Sequence, residues 1–437
     1  MAYPYLATKI MRIEDLYQHF LSSTGISTDT RMITPGSVFF ALKGPKFNAN
    51  EFAAEALSKG AAYAVVDEPA YVTNEKCILV DDGLTALQEL ARHHRSTLDI
   101  PFVALTGSNG KTTSKELVHA VLSKKFKTHA TKGNLNNHIG VPLTILAIGP
   151  TVELAVIEMG ANHVGEIAQL CSIANPTHGF ITNIGKAHIG TFGGFENIVK
   201  GKTELYDHLV RTGGTIFVNS QNKLLADIAR NFKWVVRYPA AGDYYKCSLI
   251  SSDPFLLVEA ENGDQVQTQL TGAYNFENVA AALCIGKFFG IDSGKANEAI
   301  SAYSPSNMRS QVMKKGTNTI ILDAYNANPS SMAAAIENIA SMHATNKVLM
   351  IGDMFELEGE AETEHREIGK LIRSKGFRNV YLCGSLLRAA LPEIGFAKHF
   401  DKKEQLIEEL KRNPITDATI LVKASRGIGL EAVVEYL

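Results

Sequence analysis

The sequence predicts an α/β protein of three domains, and three observations predict it. A short apolar run, a glycine-rich turn and a helix-spaced segment follow one another between Phe102 and Leu122. From residue 319 to residue 422, four apolar strands alternate with three helical segments. The chain has 437 residues, more than one ordinary core holds, and about 150 residues per domain gives three. The domains expected are a small N-terminal α/β domain over 1–99, a central phosphate-loop sheet domain over 100–304 and a C-terminal Rossmann-like α/β domain over 305–437.

In the first block, Val38-Phe39-Phe40-Ala41-Leu42 and Ala64-Val65-Val66 read as strands around a helix from Phe52 to Lys59. Ser27-Thr28-Asp29-Thr30-Arg31 precedes the first of these strands as a polar turn. Ile100-Pro101 reads as a linker, because a residue before proline leaves the helical region.

The central block starts on Phe102-Val103-Ala104-Leu105, a buried strand, and continues through Thr106-Gly107-Ser108-Asn109-Gly110-Lys111-Thr112-Thr113 into a helix carrying Leu117, Val118, Val121 and Leu122. Gly107 and Gly110 let the backbone turn its N–H groups toward an anion, the helix N-terminus adds its dipole, and Lys111 adds a charge. Thr112 then offers a hydroxyl to a magnesium ion bridging nucleotide phosphates. Leu105 stands where a strict G-x-x-x-x-G-K-[ST] has its first glycine. Two more strands end in polar residues: Leu154-Ala155-Val156-Ile157 in Glu158, and Gly179 to Ile184 in Gly185-Lys186-Ala187-His188. Ligands bind beyond the carboxyl ends of strands in open α/β sheets, so Glu158 and His188 are site candidates, and a strand-end acid suits magnesium. The alternatives are a helix-capping acid and a hydrogen-bonded loop histidine.

A helix from Glu196 to His208 carries Lys200 and Lys202, which as residues alone read as solvated lysines. β-rich segments follow around Trp234-Val235-Val236 and Phe255 to Val258. Asn275 and Asn278 sit three apart at the start of a helix running to Phe288, where their amides suit a base edge or neighbouring backbone.

The third block places strands at Thr319 to Leu322, Val348 to Ile351, Val380 to Leu382 and Ile420 to Val422, with helices at Ser330 to Met342, Glu362 to Lys375 and Glu404 to Leu410. Such alternation gives a mostly parallel sheet with right-handed crossovers. Polar residues recur at its strand ends: Asp323 to Pro329, Gly352-Asp353, and Lys423-Ala424-Ser425-Arg426-Gly427.

Composition excludes several classes. With 43 Lys+Arg against 45 Asp+Glu the net charge is −2, which leaves no bulk footprint for nucleic acid. No run approaches the length of a membrane span, and residues 1–6 show no basic-then-apolar leader, so a cytoplasmic protein without membrane insertion is expected. The five cysteines are widely spaced and form no C-x-x-C, which indicates neither a disulfide framework nor a zinc site.

Assembled, these motifs resemble the Mur ligase family across nearly the whole chain. The phosphate loop, Lys132-Gly133-Asn134-Leu135-Asn136-Asn137-His138 and Ile157-Glu158-Met159-Gly160-Ala161-Asn162-His163 carry the resemblance, and folylpolyglutamate synthases share the loop. Tyr325-Asn326-Ala327-Asn328-Pro329 and Gly352-Asp353-Met354-Phe355-Glu356-Leu357 are similar to the type that joins D-alanyl-D-alanine to UDP-N-acetylmuramoyl-tripeptide. The resemblance implies an ATP- and Mg2+-dependent amide ligase of cell-wall precursor synthesis that works as a monomer through an acyl phosphate. It implies that Gly107, Ser108, Asn109, Gly110, Lys111, Thr112 and Thr113 hold ATP phosphates, Asn275 and Asn278 the adenine side, Arg309 phosphates and Asp323 the ribose. Metal-side roles fall to Thr112, Glu158, His188 and Lys202, the last matching a lysine that the family carbamylates. Ser27, Thr28, Asp29 and Arg31 match the uridine-nucleotide end, and Asn134, Asn136 and Asn137 a loop beside the nucleotide sugar. Lys423, Ser425 and Arg426 match the place of the incoming dipeptide carboxylate. Tyr274 departs from the family's more usual histidine, and Asn48-Ala49-Asn50-Glu51-Phe52 from Asp-Gly-His-x-Phe.

Overall fold

A computed structural model describes residues 10–437, so the reading of residues 1–6 lies outside it. Its contacts group into two compact units. One holds residues up to 104 with 126–160 and 166–179; the other holds 105–125, 161–165 and 180–437.

The first unit opens with α1 (Ile13–Leu21), an amphipathic helix burying Leu16, Tyr17 and Phe20. Strands β1 (Ile26–Ser27) and β2 (Val38–Phe40), a hairpin of β3 (Lys43–Gly44) and β4 (Phe47–Asn48), and then β5 (Tyr63–Val66) and β6 (Cys77–Leu79) follow. β1, β2, β5 and β6 pair in parallel in that order. Between them, α2 (Ala53–Ser58) packs Ala53 and Ala56 against Phe39, Ala64 and Val66, small residues that let helix and sheet approach closely. α3 (Gly83–Ser96), capped by Asp82, packs on α5 (Gly140–Leu146) and α6 (Glu166–Ala174). Arg95 fixes this junction: it donates to the Ala174 and Asn175 carbonyls at 2.8 and 3.0 Å and stacks 3.9 Å above Phe102.

Strands β7 (Phe102–Thr106), β8 (Thr128–Ala130), β9 (Leu154–Glu158), β10 (His178–Ile181), β11 (Thr215–Asn219) and β12 (Val235–Tyr238) form one sheet in the order β12-β11-β10-β7-β9-β8. Every residue of β7 and β9 is buried, which is why both read as continuous apolar runs.

In the second unit, α4 (Lys111–Leu122) packs on α10 (Phe276–Phe288) and α11 (Ser293–Ala302). α7 (Ile189–Phe192), α8 (Phe195–Thr212) and α9 (Lys223–Ile228) link the strands of this half, and β13 (Ser248–Ser251), β14 (Leu257–Glu259) and β15 (Gln265–Gln267) make a small antiparallel sheet. The final sheet contains β16 (Gln311–Lys315), β17 (Asn318–Asp323), β18 (Lys347–Gly352), β19 (Asn379–Cys383), β20 (Lys398–Phe400) and β21 (Thr419–Lys423), in the order β16-β17-β21-β18-β19-β20. Period-two alternation divides its core. Ile321, Leu349, Ile351 and Leu421 meet α12 (Pro329–Ser341) and α13 (Ala361–Ser374), while Ile320, Met350 and Val422 meet α14 (Lys403–Arg412). Four expected strands are found; β16, an antiparallel edge strand, and β20 are additional. No helix among the described residues is long and apolar enough to cross a membrane.

Candidate active site

The phosphate-type loop is held by the segment leaving β10. Ser108 N–H donates to the Asn183 carbonyl at 2.9 Å and Asn109 N–H to Asn183 Oδ1 at 3.0 Å. The two glycines are obligatory here. Gly107 has φ +145° and a Cβ there would lie 2.0 Å from Thr182 Oγ1; Gly110, the N-cap of α4, has φ +76° and would meet Asn278 Oδ1 at 2.6 Å. Lys111 Nζ donates to the Gly107 carbonyl at 2.7 Å and the Ser108 carbonyl at 3.2 Å, which keeps its charge at the loop. Thr112 and Thr113 are buried in the first turn of α4.

Asn275, the N-cap of α10, and Asn278 in its first turn close a buried network that reaches Ser114 on α4. Asn278 Oδ1 accepts from Ser114 Oγ and its Nδ2 donates to Asn275 Oδ1, both at 2.8 Å, and Asn275 Nδ2 donates to the Thr271 carbonyl at 2.8 Å. Tyr274, at the departure from the family pattern, bonds Ser310 Oγ at 2.9 Å.

His188 adopts a left-handed conformation, φ +57°, as N-cap of α7, and its Nδ1 pairs with the Glu356 carboxylate. The hydrogen bond from His188 holds the Glu356 carboxyl below the usual range. Lys202 corrects the reading of its residue type: it is 1% exposed, with Nζ donating to the Ala161 carbonyl at 3.1 Å and lying 5.1 Å from the Phe192 ring centre. The reason is position on α8, since Ile198, Lys202, Leu205 and Leu209 fall at helical spacing on the buried face.

Around Tyr325 the third block gathers its candidates. The Arg309 guanidinium stacks 3.9 Å above the ring, and its buried Nε has no hydrogen-bond partner among the described residues. Arg426 lies 5.3 Å from the same ring. Asp323 accepts from Ser310 N–H at 3.2 Å and from Lys423 Nζ at 2.6 Å. Lys423, buried, also donates to the Asn326 carbonyl at 3.1 Å, so it sits with the ribose-side candidate Asp323. Ser425 Oγ accepts from Phe355 N–H at 3.0 Å.

In the first unit, Glu158 ends β9 and is 1% exposed. Asn136 Nδ2 donates to its Oε1 at 2.8 Å, and the Asn136 carbonyl accepts from Gly160 N–H at 2.8 Å. A Cβ on Gly160 would lie 2.9 Å from Asn136 Oδ1, which accounts for that glycine. Asn137 Oδ1 accepts from Gly140 N–H at 2.9 Å at the start of α5, and the Asn134 carbonyl accepts from Asn136 N–H at 2.8 Å. Asn134 and Asn137 shape the loop, and Asn136 reaches the carboxylate. Farther toward the N-terminus, Asp29 accepts from the Arg31 guanidinium at 2.6 Å, which pulls its carboxyl down to about 2. Ser27 Oγ donates to the Asp29 carbonyl at 3.2 Å, so Ser27, Asp29 and Arg31 form one self-bonded turn that includes Thr28 in sequence. Asn50 is buried, bonded to Asn48 Oδ1 at 2.8 Å and Asp67 Oδ1 at 2.7 Å, which gives that divergent stretch a structural role.

Sequence reasoning passed over Glu356, Thr182, Asn183 and Asn328. The first lies inside a quoted motif and the next two directly follow a strand, but their partners are distant in sequence. Among the described residues no group of three or more His, Cys, Asp or Glu gathers as a metal cluster.

Three family models match the chain: the Mur ligase family catalytic domain over 22–95, the Mur ligase middle domain over 105–286, and the Mur ligase glutamate ligase domain over 308–426. The UDP-N-acetylmuramoyl-tripeptide–D-alanyl-D-alanine ligase of Bacillus subtilis (strain 168) is 37% identical over 428 residues, covering 94% of this chain and 93% of its own. MurF from Acinetobacter baumannii superposes with a TM-score of 0.86 at 29% identity, over 96% of this chain and 97% of that one. MurF ligase from Thermotoga maritima, solved in complex with ADP, gives 0.84 at 26% identity over 95% and 97%. The chain belongs to the Mur ligase family.

Proposed function

We infer that this chain is an ATP-dependent amide ligase that joins D-alanyl-D-alanine to UDP-N-acetylmuramoyl-tripeptide in peptidoglycan precursor synthesis. The observation that carries the reading is the 37% identity to a ligase of that name along 94% of the chain. The ADP-bound relative and a phosphate-type loop whose two glycines admit no side chain support ATP as the energy source.

A resting carboxylate does not form an amide, because oxide is a poor leaving group. In the proposed reaction an oxygen of the tripeptide carboxylate attacks the γ-phosphorus of ATP, the bond to ADP breaks, and an acyl phosphate results. The dipeptide amine then attacks the acyl carbon, loses a proton, and phosphate departs with the C–O bond electrons. Such a sequence is mostly positioning and charge neutralisation.

Residue roles follow the chemistry of each side chain. Lys111 neutralises the β- and γ-phosphates, and Gly107 to Thr113 wrap them. Arg309, with a buried Nε lacking a partner among the described residues, is suited to phosphate, and Asp323 to ribose hydroxyls. Asn275 and Asn278 border the adenine. Thr112 and Glu158 are hard oxygen donors, the set magnesium prefers, and His188 and a carbamylated Lys202 belong with a second ion. Bound there, magnesium would supply charge neutralisation for the phosphates. Ser27, Thr28, Asp29 and Arg31 serve the uridine end, Asn134, Asn136 and Asn137 the nucleotide sugar, and Lys423, Ser425 and Arg426 the dipeptide carboxylate. Three functional segments, 1–99, 100–304 and 305–437, in a cytoplasmic monomer complete the proposal; the family-model boundaries support the segments.

Coupled ADP release tests it: turnover requires ATP, the UDP-muramoyl tripeptide and D-alanyl-D-alanine together. Release sustained by a single amino acid in place of the dipeptide, or by a folate in place of the tripeptide, overturns the substrate assignment.

A further inference from the structure

The first turn of α12 is bonded to two loops of the candidate site. Asn109 is pinned through its backbone, with its carbonyl accepting from Thr182 Oγ1 at 2.6 Å and Asn183 Nδ2 at 3.1 Å. Its side-chain Oδ1 accepts from Asn328 Nδ2 at 2.8 Å, across 219 residues of chain. One helical step away, Ser330 Oγ accepts from Lys186 N–H at 3.0 Å. The neighbouring Gly185 exchanges two 2.9 Å bonds with Ser108 Oγ through its N–H and its carbonyl. Room here is filled: a Cβ on Gly185 would lie 2.8 Å from Ser330 Oγ and 3.7 Å from Asn109 Nδ2. Farther along the helix, Asn338 Nδ2 donates to Thr271 Oγ1 at 3.1 Å, and the Thr271 carbonyl holds Asn275.

Asn328 divides its amide between two tasks. Its Oδ1 accepts from Ser331 N–H at 2.9 Å and closes the capping box of α12; its Nδ2 goes to Asn109. A helix cap needs only the acceptor, so the donor half is available for something other than holding the helix.

We propose that Asn328 and Ser330 are positioning residues for phosphoryl transfer. They hold the phosphate loop at Asn109, and the loop leading to His188 at Gly185-Lys186, against the block that carries Arg309 and Asp323. This inference rests on the ligase reading. Its physical basis is that a small misplacement of reacting groups is costly when catalysis is mostly alignment.

Asn328→Asp separates the two tasks, because it keeps the capping acceptor and removes the donor to Asn109. It is expected to melt with the wild type while kcat for ADP release falls about tenfold, the upper range for one hydrogen bond, with KM for D-alanyl-D-alanine unchanged. In a double-mutant cycle, Asn109→Ala should remove most of the effect of Asn328→Ala on kcat. Independently of turnover, Ser330→Ala should accelerate hydrogen exchange at the Lys186 amide. Wild-type kcat in Asn328→Asp, additive effects in the cycle, or unchanged Lys186 exchange in Ser330→Ala overturns the proposal. Wild-type protein assayed alongside keeps the failures apart: no wild-type ligation sinks the ligase reading and this inference with it, whereas normal wild-type ligation with an unimpaired Asn328→Asp sinks only the positioning role.

Discussion

Lys111 holds its ammonium on two carbonyls of its own loop, Gly107 and Ser108, so its charge belongs to the turn that carries it. Lys111→Ala should abolish ADP release yet leave binding of the uridine nucleotide intact by titration calorimetry; loss of both would show that the two ends of the substrate set are not served separately. Lys202 is the second decisive side chain. Lys202→Ala should lose most activity, with a short carboxylate such as formate restoring part of it, since a carbamate is in effect a carboxylate on a lysine stem. Full activity in the plain variant removes the proposed role. Glu158 was legible as an acid at a buried strand end. Lys202 as a buried residue was not, because lysine is nearly always solvated, although Ile198, Leu205 and Leu209 around it already formed a helical stripe. Asn328 was unreadable as a partner of Asn109, for no local pattern joins residues 219 apart.

Among the elements, α4 is tied to the segment that leads into the last sheet. Glu116 on α4 accepts from the Tyr303 hydroxyl and from Asn307 Nδ2 at 3.1 Å. Just beyond, Met308 and Ser310 hold φ of +56° and +51°, conformations that cost non-glycine residues on the order of 1 kcal/mol each and persist only where neighbours fix them. Glu116→Ala strands two donors and should lower the unfolding free energy by about 2 kcal/mol in urea titration, with Tyr303→Phe costing less. Equal stability of Glu116→Ala and wild type would mean the anchor contributes nothing. At this scale most strands and helices were legible because the central residues of β7, β9, β17, β18 and β21 are apolar and buried. The edge strand β16 was missed for a physical reason. Gln311-Val312-Met313-Lys314-Lys315 pairs on one side only and can carry polar residues, which removes the apolar signature.

For the molecule as a whole, histidines whose imidazoles the fold depresses should lower stability in acid. Burial pushes the His178 imidazole down to about 4, and lowers His94 and His365 as well. A histidine depressed in the fold binds its proton more readily when unfolded. Its stabilisation is therefore complete above the unfolded value near 6.5 and is lost as pH falls through the folded one. Unfolding free energy should decline between pH 6.5 and 4, with His178 accounting for up to about 3 kcal/mol. His178→Gln should flatten that slope in denaturant titrations at several pH values; an unchanged slope would move the effect to other groups. The grouping into two compact units depends on tertiary contacts that no local pattern encodes. The central claim is the identity of the bond made. Incubating the protein with ATP, magnesium, UDP-N-acetylmuramoyl-tripeptide and an equimolar mixture of D-alanyl-D-alanine and single amino acids, then weighing the uridine-containing product by mass spectrometry, tests it most directly. The account predicts one product heavier by the dipeptide residue mass, with ADP and phosphate formed in equal amounts. A product carrying a single amino acid, or an unchanged tripeptide in the presence of bound ATP, would contradict it.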